Sequence, residues 1–226
     1  RSIVRRLREK GTMNCLIAPG DAESAKARLA EIAAFKPSGC VPRVSRPNRE
    51  IITPFADAKL GKQALRIALL DYGAKQSIVR SLVERGCEVT VWPWNSSSED
   101  ILASRPDGIM LSNGPGDPKD CAGILPSVRS LADSGIPLFA ICLGHQLLAL
   151  AAGFDTERMK FGHRGCNHPV KDLDTGRVYM SSQNHGYCVK SDSIDESIAR
   201  KSHENANDGT VEGLAFLHKP VSSVQF

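Results

Sequence analysis

Residues 137–153, PLFAICLGHQLLALAAG, join a short apolar run to a helix-like segment, with one thiol, Cys142, at the junction. PLFAI has the length and apolarity of a buried strand, and LGHQLLALAAG reads as a helix closed by Gly153. A strand that turns sharply into a helix exposes the side chain on the turn at the sheet edge. The helix start adds a partial positive charge that favours thiolate, and free N–H groups that can hold an oxyanion. Free cysteines are also often small buried hydrophobes. On this stretch alone, packing and reaction remain equally open for Cys142.

Upstream, the same rhythm repeats. LRIALLD, CEVTVW and DGIMLS read as strands, and AKQSIVRSLVERG, SSEDILASR and GILPSVRSLADSG read as helices between them. Strands alternating with helices predict a mainly parallel, doubly wound α/β sheet covered on both faces. Beyond residue 155 the helices stop. GRVYMSSQNHGYCV, TVEGLAF and SSVQF predict an antiparallel extension of the same domain.

Residues 1–62 differ. DAESAKARLAEIAAF predicts one helix with Asp21 as N-cap, and the following stretch to residue 63 carries four prolines and no sustained period. This region is expected to be a remnant of an N-terminal domain plus a linker, with the α/β domain spanning 63–226. The chain begins inside a helix-like segment without Met and stops on a strand-like one, so both ends read as truncations.

Composition excludes several classes. The 226 residues are 41% hydrophobic and 24% charged, which suits a soluble globular chain, and the net charge of +4 is spread over 29 basic and 25 acidic residues. No basic block with interleaved aromatics marks a nucleic-acid surface, and RSIVRRLREK, which could serve as a lipid- or RNA-seeking tail, reads first as a solvated helix face. No apolar run approaches the ~18 residues that cross a bilayer, so no membrane contact is expected. Seven scattered cysteines without a CxxC pair suggest neither a disulfide framework nor a zinc site, and point to the cytoplasm or another reducing compartment.

Ligands of open α/β sheets gather at the carboxyl ends of strands. SNGPGDP, residues 112–118, follows the strand DGIML, and its two glycines let the backbone approach a ligand and present N–H groups, although a Gly/Pro cluster is also an ordinary tight turn. SSQNHGYCV, residues 181–189, breaks a strand pattern with Asn184, His185 and Gly186, which predicts either a bulge aimed at a site or a hairpin turn. His163 and His168 lack a completing ligand set for a metal and read as structural. His145 lies three residues after Cys142 on the same helix, poorly aimed to be its base, and is expected in the core or behind the site.

LSNGPGDP, FAICLGHQLLALAAG, MKFGHRGCNHPV and SQNHGY, in that order, resemble the class I (triad-type) glutamine amidotransferases, and within them the carbamoyl-phosphate synthase small-subunit family. LREKGTM resembles the end of that family's N-terminal domain. The resemblance implies that Cys142 attacks the side-chain amide of glutamine, giving a glutamyl thioester and ammonia. It implies that the N–H of Leu143 and the Gly114/Gly116 loop hold the oxyanion, and that Gln146, Asn184, Gly186 and Tyr187 bind glutamine. It further implies that the partner is a large synthetase subunit, which takes the ammonia through a tunnel and uses ATP and bicarbonate to make carbamoyl phosphate for arginine and pyrimidine synthesis. No cofactor or metal is implied in the small subunit itself. A non-catalytic module of the same fold, and an amidotransferase of another pathway, are the alternatives.

The sequence departs from the family twice. Ala140 stands where a glycine is usual, two residues before the nucleophile. The family's catalytic His and its orienting Glu come from a His-Pro-Glu segment after a strand like SSVQF, and this chain stops at Phe226. A thiol nucleophile needs a base, so the 226 residues are expected to turn glutamine over poorly. His185 falls in the family's glutamine-binding segment rather than at the base.

Overall fold

The computed structural model describes residues 2–17, 20–54 and 64–226. In chain order the elements are α1 (Ser2–Lys10), α2 (Ala22–Ala27), α3 (Leu29–Ala34), α4 (Cys40–Val44), β1 (Glu50–Ile52), β2 (Arg66–Asp71), α5 (Gln76–Glu84), β3 (Glu88–Pro93), α6 (Ser98–Ala103), β4 (Gly108–Leu111), α7 (Leu125–Asp133), β5 (Leu138–Ile141), α8 (Leu143–Ala151), β6 (Thr156–Asp172), β7 (Val178–Val189), β8 (Ala199–Asn205), β9 (Val211–Phe216) and β10 (Val221–Val224). The described strands form one sheet in the order β1-β3-β2-β4-β5-β10-β9-β8-β6-β7.

Strands β3, β2, β4, β5 and β10 run parallel. Their continuous apolar runs follow from burial on both faces. In β2, Leu69 packs with Val79 and Val83 of α5, while Ala68 and Leu70 belong to the larger core with Ile101 of α6, Val128 and Leu131 of α7, and Leu147 of α8. Asp21 caps α2 as expected, accepting from the Ser24 N–H at 2.8 Å. Ser97 caps α6 by accepting from the Asp100 N–H. Gly86 and Gly153 end α5 and α8 at φ 84° and 95°, a region that favours glycine.

The doubly wound parallel core is as expected, and four local readings change. The single helix over 21–35 is two, α2 and α3, meeting at Arg28. Residues 50–52, in the stretch expected to be linker, form edge strand β1, antiparallel to β3. The expected domain boundary at 62/63 lies outside the described residues. SSVQF, expected in the antiparallel extension, is the seam of the sheet: β10 runs parallel to β5 on one side and antiparallel to β9 on the other. The irregularity expected in SSQNHGYCV is carried by its partner. Between the pairs Arg158↔Tyr187 and His163↔His185, β6 advances five residues and β7 only two, so β6 holds the extra residues.

Candidate active site

Cys142 is the N-cap of α8 at φ 53° and ψ −105°, a strained conformation for a residue with a Cβ. Backbone bonds lock it there. Its N–H donates to Val224 O at 2.9 Å, its carbonyl accepts from Gln146 N–H at 3.1 Å, and Gly144 N–H donates to Ser112 O at 3.1 Å. The elbow therefore ties together the carboxyl ends of β4, β5 and β10. Gly144 is required by space: a Cβ there would lie 2.4 Å from Leu111 O. Ala140, where the resembling family has glycine, fits fully buried between Leu111 and Ser223.

The loop after β4 lies beside the thiol. A Cβ on Gly114 would lie 2.2 Å from Tyr72 O, so only glycine passes there, and Gly116 sits at φ 101°. Ser112 anchors the loop, its buried hydroxyl accepting from Tyr72 N–H and donating to Asn113 O. Asp117 accepts from Lys119 N–H at 2.9 Å and lines the same cavity as Tyr187 of β7.

A cavity of about 970 Å³ opens over Cys142 and is lined by Gly114, Gly116, Gln146, Asn184, Gly186 and Tyr187. Leu143, the remaining residue singled out from sequence, is buried beneath it, and its backbone N–H faces the Cys142 sulfur. The three motifs thus converge on one pocket. Its charged lining is mixed, with Lys119 and Lys190 both paired to Asp155 at 2.7 and 3.3 Å. Lys119 foremost holds the Asp155 carboxyl down at about 2. Sequence reasoning missed this ionic trio and the wall formed by Thr12, Asn14 and residues 35–38. Lys119 directly follows SNGPGDP and was the one accessible signal; the N-terminal wall carries no motif.

Burial pushes the Cys142 thiol up, opposed by the Leu143 N–H, Lys75 and the Gln225 side chain. Among the described residues no imidazole is hydrogen-bonded to that sulfur. His145 is fully buried, bonds Ser223 Oγ through Nδ1 at 2.8 Å, and is pulled down to about 3 by burial and then by His185. His185 Nδ1 lies 2.8 Å from Tyr187 O and Nε2 2.9 Å from Gln183 Oε1, and burial foremost pulls the ring down to about 4, so the neutral ring donates to only one of these acceptors.

Behind the β7 wall, His163, His185 and Glu212 bring ligand-type atoms within 4.8 Å of one another. Their facing atoms are already engaged. Gln183 Oε1 bonds both imidazoles at 2.8 and 2.9 Å, His163 Nε2 meets Asp208 at 2.9 Å, and Glu212 Oε1 accepts from Asn205 at 3.1 Å. His168 stacks on His163 with ring centroids 4.8 Å apart. The cluster forms a hydrogen-bonded support for Asn184–Tyr187.

A strained thiol at a strand-to-helix turn, glycine-lined on one side and facing a polar strand wall, has the layout of a nucleophile elbow. The family model for glutamine amidotransferase class-I matches residues 68–226, and the chain belongs to that family. It is 46% identical over all 226 residues to the carbamoyl phosphate synthase small chain of Bacillus caldolyticus, and the match covers 60% of that relative. It is 52% identical over 160 residues, 71% of this chain and 44% of the relative, to the carbamoyl phosphate synthase pyrimidine-specific small chain of Lactiplantibacillus plantarum. The chain therefore spans at most about 60% of the length of these relatives. The crystal structure of a glutamine amidotransferase from Thermotoga maritima shares the fold, with TM-score 0.55 and 15% identity, covering 73% of this chain and 76% of that one. No helix among the described residues is long and apolar enough to cross a membrane.

Proposed function

We propose that this chain is the glutamine-hydrolysing part of a carbamoyl-phosphate synthase small chain. The observation that carries the reading is the convergence of Cys142, Gly114, Gly116, Gln146, Asn184, Gly186 and Tyr187 on one cavity. The names of the relatives that match over the full 226 residues support the choice of pathway. The Cys142 thiolate adds to the side-chain carbonyl carbon of glutamine. The negative oxygen is held by the Leu143 N–H and by the backbone of the Gly114/Gly116 loop, donors fixed in place before charge develops. Collapse of this intermediate breaks the carbon–nitrogen bond, and the amine leaves as ammonia with a proton from a general acid. Water then hydrolyses the thioester to glutamate and restores the thiol.

Gln146, Asn184, Gly186 and Tyr187 bind the glutamine head group in this reading, and the mixed charges around them suit a zwitterion. The step also needs a general base beside the thiol, and the end of β10, where Val224 O accepts the Cys142 N–H, lies next to it. The chemistry calls on no cofactor in this chain. A large synthetase partner takes the ammonia and, with ATP and bicarbonate, makes carbamoyl phosphate for pyrimidine and arginine synthesis. The seven free cysteines fit a reducing cytoplasm.

Ammonia release from glutamine tests this, measured in the 226-residue chain, in a longer chain carrying a His-Pro-Glu segment after Phe226, and in the Cys142→Ser form of each. The expected result is release that rises on extension by about 10³-fold or more, the scale on which triad members act, and that vanishes with Cys142→Ser. Release that survives Cys142→Ser would overturn the assignment.

A further inference from the structure

Two buried side-chain amides lie between the pocket wall and the thiol. Gln146 Nε2 donates to Tyr187 O at 2.8 Å and to Gln225 Oε1 at 3.0 Å. Because a backbone carbonyl only accepts, the first bond fixes which end of the Gln146 amide is nitrogen. The second bond then fixes Gln225 with its oxygen toward Gln146 and its Nε2 turned away. Both protons of the Gln146 amide are engaged, so it can offer a ligand only its oxygen.

Gln225 is 1% exposed, and its Nε2 has no hydrogen-bond partner. An unpaired buried N–H donor is costly, so a native fold that keeps one calls for a reason. Gln225 directly follows Val224, whose carbonyl accepts the Cys142 N–H at 2.9 Å, and Gln225 N–H is itself held by Glu212 O at 2.8 Å. The residue is thus held by its backbone N–H and by its Oε1, next in sequence to the carbonyl that binds Cys142.

We propose that Gln225 is a further catalytic residue, the donor whose Nε2 binds the Cys142 thiolate, and that Gln146 aims it. The thiol form gives this donor a poor acceptor, which accounts for the orphaned Nε2. The thiolate gives it a charged one, so the bond strengthens when the nucleophile forms and favours that form. The electrostatics agree, since the Gln225 amide and the Leu143 N–H both oppose the upward push of burial on Cys142. Gln225 and Leu143 therefore act on the sulfur from just past β10 and from the start of α8.

The inference rests on Cys142 being the nucleophile, and its test does not require turnover. Iodoacetamide alkylation of Cys142 is followed against pH by peptide mass spectrometry, with exposed Cys15 and Cys166 as internal references. Gln225→Leu is expected to slow Cys142 alkylation near pH 7 by about tenfold and move its midpoint up by about one unit, the size expected for loss of one charge-assisted hydrogen bond. Gln225→Glu, which keeps the shape and adds a negative charge, is expected to move it further. Cys15 and Cys166 profiles should not change. If the leucine variant does not fold, the native chain decides: the Gln225 side-chain amide NMR signals should titrate with the Cys142 midpoint and stop doing so in Cys142→Ala. Folded variants with the native Cys142 profile, or amide signals that ignore the thiol, would overturn the proposal. Glutamine protection of Cys142 from a glutamine-like chloroketone tests the nucleophile assignment separately.

Discussion

The two halves of the sheet hold the site in different ways. The parallel half, β2 to β5 with β10, buries mostly leucine, isoleucine, valine and alanine, and places Cys142, Gly114 and Gly144 by backbone geometry and close packing. The antiparallel half, β6 to β9, buries Thr156, His163, Ser181, Gln183, His185, Ser202, Asn205 and Glu212, and places Asn184–Tyr187 by hydrogen bonds. The Cys142 side should respond to volume. The Asn184–Tyr187 wall should respond to charge and to lost partners.

The largest stability effect is expected at Glu212, which is fully buried and faces both His163 and Asn205. Glu212→Leu strands those partners and should cost about 3–5 kcal/mol, while Glu212→Gln keeps an acceptor and should cost about 1 kcal/mol or less. Urea unfolding separates the two, and equal losses would mean that packing rather than polar pairing holds this half. Gly144→Ala and Gly114→Ala come next. Each pushes a methyl against a carbonyl oxygen and should cost about 1–3 kcal/mol. Gly123→Ala meets nothing within 4 Å and should stay within about 0.5 kcal/mol. Similar thermal shifts for all three would contradict a packing-limited elbow.

A separate expected effect is a slope with pH. His145 and His185 have folded values pulled down to about 3 and about 4, below the ordinary 6.5. Below pH 6.5 the unfolded chain binds protons that the folded chain refuses, so stability falls as pH drops from about 6.5 toward 3–4. Each histidine adds a slope of at most about 1.4 kcal/mol per pH unit. His145→Gln should flatten that slope, checked by chemical denaturation at pH 7 and pH 5.

The parallel half was legible because burial on both faces writes uninterrupted apolar runs, and helices between them repeat at 3.6. The elbow was legible for the same reason, as PLFAI and LGHQLLALAAG differ sharply in pattern. Strand β6 was not, since TERMKFGHRGCNHPVKD exposes much of its length and shows no period-two alternation of apolar residues. Nor could four residues of β10 announce that they would pair in parallel with β5, about 80 positions earlier. The site motifs were readable as local backbone breaks. The Gln146–Gln225 pair was not, because it joins residues 79 apart through side-chain amides that leave no sequence pattern.

The central claim is that Cys142 is a nucleophile facing a glutamine pocket. Labelling the native 226-residue chain with a glutamine-like chloroketone and mapping the adduct tests it most directly. The account predicts selective modification of Cys142, suppressed by free glutamine, while exposed Cys15 and Cys166 react slowly and without protection. Modification spread over the exposed thiols, with Cys142 untouched or indifferent to glutamine, would contradict it.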